Sequence, residues 1–116
     1  MHERDLAAVA VAAPLTEGHE GQAYPLTGPA SLTQVERVRL LEEVVGRTLR
    51  LEEMEPTEAQ AYMVATMPPP VVEGVLEMVA AQVGRTAQVL DTMERAAGRA
   101  PYAYSPRARM HAADFA

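Results

Sequence analysis

Three histidines, His2, His19 and His111, are the first residues whose chemistry could hold a metal ion or carry a proton. A metal centre needs several nitrogen or oxygen ligands on neighbouring faces. These histidines lie far apart in the sequence, and no His-Glu-x-x-His spacing occurs. The pattern therefore predicts histidines on the surface and no metal site.

An acidic run forms the second candidate, and its members are Glu52, Glu53, Glu55 and Glu58. Two carboxylates could act as general acid and general base, but such a pair needs a neighbouring group that separates their pKa values. No such partner is evident in the sequence. A solvated strand end followed by a helix start explains the run better, because acidic residues stabilise the first turn of a helix.

Missing residue types restrict the chemistry further. The chain has no cysteine, which excludes thiolate nucleophiles and disulfides, and no lysine, since all ten basic residues are arginine. Gly18-x-x-Gly21 and Gly28-Pro29 do not stand between a strand and a helix, so we interpret them as turns instead of a phosphate-binding loop. The sequence predicts no catalytic residue and no cofactor-binding residue in this chain.

Methionines supply the remaining candidate, a pocket for a flat apolar ligand. Flexible thioether side chains can line such a pocket, although they also fill ordinary cores. The candidate substrate pocket consists of two methionines and two valines, Met63, Met67, Val71 and Val75.

Composition limits the class of protein. The 116 residues fit one small domain, and 48% hydrophobic with 22% charged residues is typical of globular proteins. A net charge of −6 repels phosphate backbones and anionic lipids, so we expect neither nucleic-acid nor membrane binding. No stretch has the length of a membrane span or the pattern of a secretory signal, which predicts a cytoplasmic protein.

Helical periodicity predicts four or five helices. The first covers about residues 4 to 13 and ends at Pro14, with Asp5 at its head. Three more helices follow capping patterns at Ser31, Thr57 and Thr86, and a further one covers about residues 70 to 83. The helix after Ser31 carries the clearest apolar stripe, ends at Gly46, and has Val35, Val38, Leu41 and Val45 on one side.

Two alternating segments, residues 22 to 27 and 48 to 54, predict short strands, and the first has Tyr24 and Leu26 on one face. The expected fold class is therefore α/β and rich in helix. Two neighbouring strands make only a marginal sheet unless they extend a larger one. This deficit suggests that part of the fold lies outside these residues.

The segment from His2 to Gly46 carries a resemblance to a known family. It contains His-Glu-Arg-Asp-Leu-Ala-Ala-Val, then Tyr-Pro-Leu-Thr-Gly-Pro at residues 24 to 29, and the tail adds Gly-Arg-Ala-Pro at residues 98 to 101. The chain resembles the C-terminal part of NmrA-like, atypical short-chain dehydrogenase proteins, which are NAD(P)-binding and epimerase-like. The resemblance implies a partial Rossmann-type domain over residues 1 to 116. Its late helix and strand would occupy residues 1 to 30, and its helical substrate-side portion would occupy residues 31 to 116.

The family resemblance also implies partners. It implies NAD(P) as cofactor and a small-molecule substrate for the intact protein, with a missing N-terminal Rossmann half as the chain's partner. Because the Gly-rich fingerprint and the Tyr-x-x-x-Lys couple are absent, no catalytic role transfers to any residue, and a truncated or separately encoded half is expected to be inactive alone. The alternative function is a helical interaction or dimerisation module that buries residues 35 to 45 and 72 to 83 against a second copy.

Overall fold

The computed structural model describes residues 1 to 115. These form six α-helices and a short 3-10 helix: α1 (Glu3–Leu15), α2 (Gln34–Val45), α3 (Pro56–Met63), α4 (Pro69–Gln82), α5 (Thr92–Ala97), α6 (Tyr104–Met110) and the 3-10 helix (Ala112–Phe115). The chain divides into two compact units. One, the terminal unit, joins Met1–Arg50 to the residues from Gln88 onward, and the other, the inserted unit, is Leu51–Ala87.

The first helix begins and ends differently from the prediction. His2, not Asp5, is its N-cap, and the Nδ1 atom of His2 accepts a hydrogen bond of 3.2 Å from the backbone N–H of Arg4. The prediction that Pro14 ends the helix is also wrong, because α1 continues to Leu15. Thr16 closes the turn beyond the proline, since its backbone N–H (3.1 Å) and its hydroxyl (2.8 Å) both donate to the carbonyl of Ala12.

Helix α2 has a capping box two residues later than predicted. Thr33 and Glu36 form it, instead of Ser31 and Gln34: the Thr33 hydroxyl accepts from the Glu36 backbone N–H at 3.1 Å, and the Glu36 carboxylate accepts from the Thr33 backbone N–H at 2.6 Å. A carboxylate accepts this bond more strongly than an amide. Gly46 ends the helix as predicted, with φ of +70°, where a side chain would be strained.

The core of the terminal unit brings distant parts of the chain together. Val9 from α1 packs with Met93 and Ala96 from α5, and Tyr24 and Leu26 pack against this cluster from the segment between α1 and α2. The alternation that placed Tyr24 and Leu26 on one face is therefore observed in their packing. Helix α2 packs against α6, but its predicted apolar stripe is only half-buried, and Val35 is exposed.

The two predicted strands are wrong. Within residues 1 to 115, segments 22 to 27 and 48 to 54 have no strand pairing. Side chains take bonds that a neighbouring strand would otherwise make. The hydroxyl of Thr27 accepts from the backbone N–H of Leu90 at 2.9 Å, and the carboxylate of Glu42 accepts from the backbone N–H of Leu49 at 2.8 Å. The helix-rich part of the prediction is confirmed, and the described part of the chain is helical and irregular.

The inserted unit consists of α3 packed against α4. Pro56 begins α3 after Glu55, so the predicted cap at Thr57 is wrong, since a proline in the first turn needs no partner for its missing N–H. Val72 is the fully buried residue of α4. The predicted cap at Thr86 is also wrong, because residues 85 to 90 are irregular and α5 begins at Thr92.

The tail forms two short helical elements, α6 and the 3-10 helix. Helix α6 contacts α2, and the 3-10 helix contacts the same helix. The Arg47 guanidinium, just beyond the end of α2, donates to the backbone carbonyl of Phe115. Among the described residues, no helix combines the length and apolarity that crossing a bilayer requires.

Candidate functional site

A buried carboxylate lies at the head of α1. Asp5 is fully buried and accepts two hydrogen bonds from the C-terminal segment, one from the Arg99 guanidinium at 2.8 Å and one from the backbone N–H of Tyr102 at 2.9 Å. We call this group the Asp5 anchor. Both oxygens of the carboxylate have a donor, so the charge is compensated although it is removed from water.

Aromatic contacts complete the anchor. The Arg99 guanidinium lies 4.4 Å from the centre of the Tyr102 ring, within the range of a cation–π interaction, and the His2 ring lies 4.9 Å from the same ring. Gly98 directs the chain into this position, because its φ of +71° ends α5 in the left-handed conformation. The anchor therefore depends on a turn at Gly98 as well as on the ion pair.

A second, exposed group of charges lies beside the anchor. Glu3 accepts a hydrogen bond of 2.9 Å from the Nε of Arg107 and contacts the Nε2 of His111 through its other oxygen. The Nδ1 of His111 lies 3.4 Å from a carboxylate oxygen of Asp114, so both ring nitrogens face a carboxylate. We call this group the Glu3 cluster.

The Glu3 cluster shifts two pKa values in opposite directions. The hydrogen bond from His111, helped by a backbone N–H and by Arg107, lowers the pKa of Glu3 to about 2. The same bond raises the pKa of His111, with smaller contributions from the charges of Glu3 and Asp114. Each partner therefore favours the charged form of the other.

A third polar group orders the loop after α1. The two ring nitrogens of His19 bond the hydroxyl of Tyr24 at 2.6 Å and the hydroxyl of Thr16 at 2.7 Å. This bridge connects the end of α1 to the segment whose Tyr24 packs on the core. Its effect is to fix the loop conformation.

The Asp5 anchor and the Glu3 cluster hold α1 against the C-terminal segment of the chain, and the His19 bridge holds the loop that follows α1. The carboxylates and histidines in them are bonded to other protein groups, which is what a positioning role requires. No three His, Cys, Asp or Glu side chains of residues 1 to 115 form a group that could hold a metal ion. The chemistry that the arrangement supports is therefore positioning of α1 and the tail.

The predicted substrate pocket residues all lie in the inserted unit. Met63 ends α3, and Met67 lies one turn beyond it, where its N–H donates to the Met63 carbonyl at 2.9 Å. Val71 and Val75 are one turn apart on α4. Met63, Met67 and Val75 are half-buried, whereas Val71 is 49% exposed. Their role as a pocket stays a prediction.

Sequence reasoning missed the polar groups because their members are distant in the chain. His2 was expected on the surface and is buried, and His2 and His111 both lie near Glu3. Asp5 was recognised only as a helix-start residue. One signal was present, since the two segments that carried the family resemblance, residues 2 to 5 and 98 to 101, are those that meet in the Asp5 anchor.

Comparison with known proteins relates the whole chain to reductases. No protein-family model matches it. It is 40% identical over 114 residues to a (4-alkanoyl-5-oxo-2,5-dihydrofuran-3-yl)methyl phosphate reductase of Streptomyces griseus. It is 38% identical over 114 residues to an NAD(P)H azoreductase of Xenophilus azovorans. Each alignment covers 97% of this chain but only 40% of the relative, so the chain spans about two fifths of their length.

A solved structure shows the same fold. The triphenylmethane reductase of a Citrobacter species, crystallised with NADP(H), superposes with a TM-score of 0.67 at 24% identity, over 93% of this chain and 38% of that one. The predicted resemblance is therefore confirmed: over nearly its whole length this chain is homologous to reductases of the NAD(P)H-dependent kind, as the C-terminal part of such an NAD(P)-binding protein would be.

Proposed function

We propose that this chain is the substrate-side portion of an NAD(P)H-dependent reductase of the short-chain dehydrogenase, NmrA-like type. The observation that carries the proposal is the alignment of 97% of the chain with two reductases of which it covers 40%. The remaining part of the reductase would bind NAD(P) in a Rossmann-type domain. This chain would then contribute the wall of the substrate site and no group that transfers hydride.

The polar groups of the terminal unit support a scaffold role. A reactive carboxylate or histidine must be able to reach substrate. Asp5 is fully buried and is bonded by Arg99 and Tyr102, while Glu3 is bonded by Arg107 and His111. These side chains fix the position of α1, and the inserted unit presents apolar residues, including Met63, Met67, Val71 and Val75, to substrate.

A chimera tests the proposed function. This chain replaces the matching segment of the Xenophilus azoreductase, and NADPH oxidation is measured with an azo dye. We expect the chimera to bind NADPH and to oxidise it, because the scaffold is shared. A soluble, folded chimera without NADPH binding would contradict the proposal.

The isolated chain provides the complementary measurement. Calorimetric titration with NADPH is expected to give no binding heat, and micromolar affinity would contradict the assignment. Light scattering on the same sample tests the alternative of a dimerisation module. A stable dimer that forms through residues 35 to 45 and 72 to 83 would favour that alternative.

The predicted pocket has its own test in the chimera. Met67→Ala and Val75→Ala should raise the KM for the dye and leave the KM for NADPH unchanged, because deletion of buried apolar contacts weakens apolar binding. Val83→Ala serves as the control, since Val83 is 79% exposed just beyond α4. Equal effects of all three variants would exclude this pocket.

A further inference from the structure

From Leu6 to Leu15, one side of α1 is exposed and apolar. Helical geometry places six residues on a continuous half of the helix surface, Leu6, Ala7, Ala10, Val11, Pro14 and Leu15. All six are exposed, with Leu6 at 52%, Val11 at 57% and Leu15 at 75%. We call this surface the open face of α1. The opposite side holds Asp5 and Val9, which are buried against the rest of the terminal unit.

The open face differs from the solvent side of a neighbouring helix. On α2 most exposed positions carry charges, namely Glu36, Arg37, Arg39 and Glu43, as is typical of a helix at the surface. From Leu6 to Leu15, α1 has no polar side chain at all. A helix that is apolar all round is typical of one buried on both sides.

The length of the relatives supplies a candidate to cover this face. This chain covers 40% of each reductase, so about three fifths of each polypeptide lies outside the aligned part. A segment tethered to α1 has a millimolar effective concentration there, which favours it over a second copy at ordinary concentration. Alanines at positions 7 and 10 leave room for close approach.

We propose that the open face of α1 is the docking surface for the remaining, cofactor-binding portion of the reductase. The proposal rests on the proposed function for the identity of that portion. Helix α1 would then be buried between two parts of the reductase. Asp5 and Val9 pack it against the substrate-side scaffold. Leu6, Ala10 and Val11 would contact the cofactor-binding portion. The driving force is burial of apolar surface.

Cysteine reactivity tests the docking. The chain contains no cysteine, so Ala10→Cys introduces a thiol at a defined site at the centre of the open face. Glu43→Cys, at an exposed position of α2, is the matched control. Labelling rates are measured in the isolated chain and in the azoreductase chimera by peptide mass spectrometry, and each is divided by its rate in denaturant.

The two proteins should give different labelling rates. In the isolated chain both thiols should react freely, and in the chimera the thiol at position 10 should slow at least about tenfold while the control stays reactive. A position 10 that remains reactive in an NADPH-binding chimera overturns the docking surface but leaves the proposed function intact. Protection in a folded chimera that does not bind NADPH supports docking and contradicts the function.

A second test of the docking surface uses the isolated chain alone. Val11→Glu places a charge on the open face, and it should leave helix content and urea midpoint unchanged, because Val11 is 57% exposed there. Loss of the fold in this variant would overturn the proposal. Slow labelling at position 10 in a dimer of the isolated chain would also overturn the proposal, because a second copy of the chain would then cover the open face of α1.

Discussion

Two carboxylates at the head of α1 are two residues apart and have opposite environments. Asp5 is fully buried and bonds a guanidinium and a backbone N–H, whereas Glu3 is 41% exposed and bonds Arg107 and His111. Both connect α1 to the same C-terminal segment. Water screens the exposed pair and not the buried one. We therefore expect burial, more than the number of charged partners, to decide how much each carboxylate contributes to the free energy of unfolding.

The largest expected effect comes from removing the partner of the buried carboxylate. Arg99→Ala should lower the free energy of unfolding by about 3 kcal/mol, because it leaves Asp5 as a buried charge without its counter-ion. The lower end of the usual range applies, since the Arg99 side chain is 35% exposed and water can enter. Urea denaturation followed by circular dichroism measures the change.

Arg95→Ala is the matched control for that prediction. Arg95 also pairs with an aspartate, Asp91 at 3.1 Å, but both side chains are exposed, at 67% and 72%. Its removal should cost less than about 1 kcal/mol. Equal losses for the two arginine variants would show that burial is not what separates the two kinds of pair.

The turn that places Arg99 should have the next largest effect. Gly98→Ala should cost about 1 kcal/mol, because Gly98 has a φ of +71° that an alanine adopts with strain. Gly74→Ala, in the middle of α4, should instead stabilise by up to about 1 kcal/mol, since added Cβ atoms meet nothing within 4 Å there. Thermal unfolding of both variants measures the contrast in sign, and a Gly98→Ala variant as stable as the parent chain would contradict the turn's role.

The exposed pair should show its effect in titration more than in stability. Glu3→Gln should bring the pKa of His111 down towards the ordinary value of 6.5, because the hydrogen bond that His111 donates to Glu3 is the main cause of its increase. Asp114→Asn should lower it less. NMR titration of the His111 ring measures both, and an unchanged His111 pKa in Glu3→Gln would contradict the geometry of the cluster.

Hydrogen exchange in α6 should depend on pH through the same cluster. The raised pKa of His111 gives stabilisation that is complete below about 6.5 and is lost as pH rises through the folded-state value. The pKa of Glu3, lowered from 4.5 to about 2, gives stabilisation that is complete above 4.5 and is lost as pH falls towards 2. Protection of α6 should therefore be greatest between about pH 4.5 and 6.5. Protection that rises steadily to pH 9 would contradict this assignment.

The sequence predicted the elements that depend on local signals. Periodicity located α1, α2 and α4, and Gly46 ended α2 as expected. Local signals failed where a competing local bond exists: the choice of Thr33 over Ser31 as a cap depends on the Glu36 carboxylate.

Predictions that require distant partners were less accurate. Alternation in residues 22 to 27 indicated which side chains face the core, but a strand needs a neighbour, and Thr27 bonds Leu90 through its side chain instead. The burial of Asp5 depends on Arg99 and Tyr102, more than 90 positions away. The resemblance at residues 2 to 5 and 98 to 101 was the only sequence signal that linked those segments.

The separation between Asp5 and its partners has a consequence for biosynthesis. Asp5 leaves the ribosome long before Arg99 and Tyr102, which are 94 and 97 positions later. Until then, the aspartate remains hydrated and α1 cannot complete its packing on α5. Folding of the terminal unit is therefore expected to begin only after translation has passed the inserted unit, which can form its own helical pair earlier.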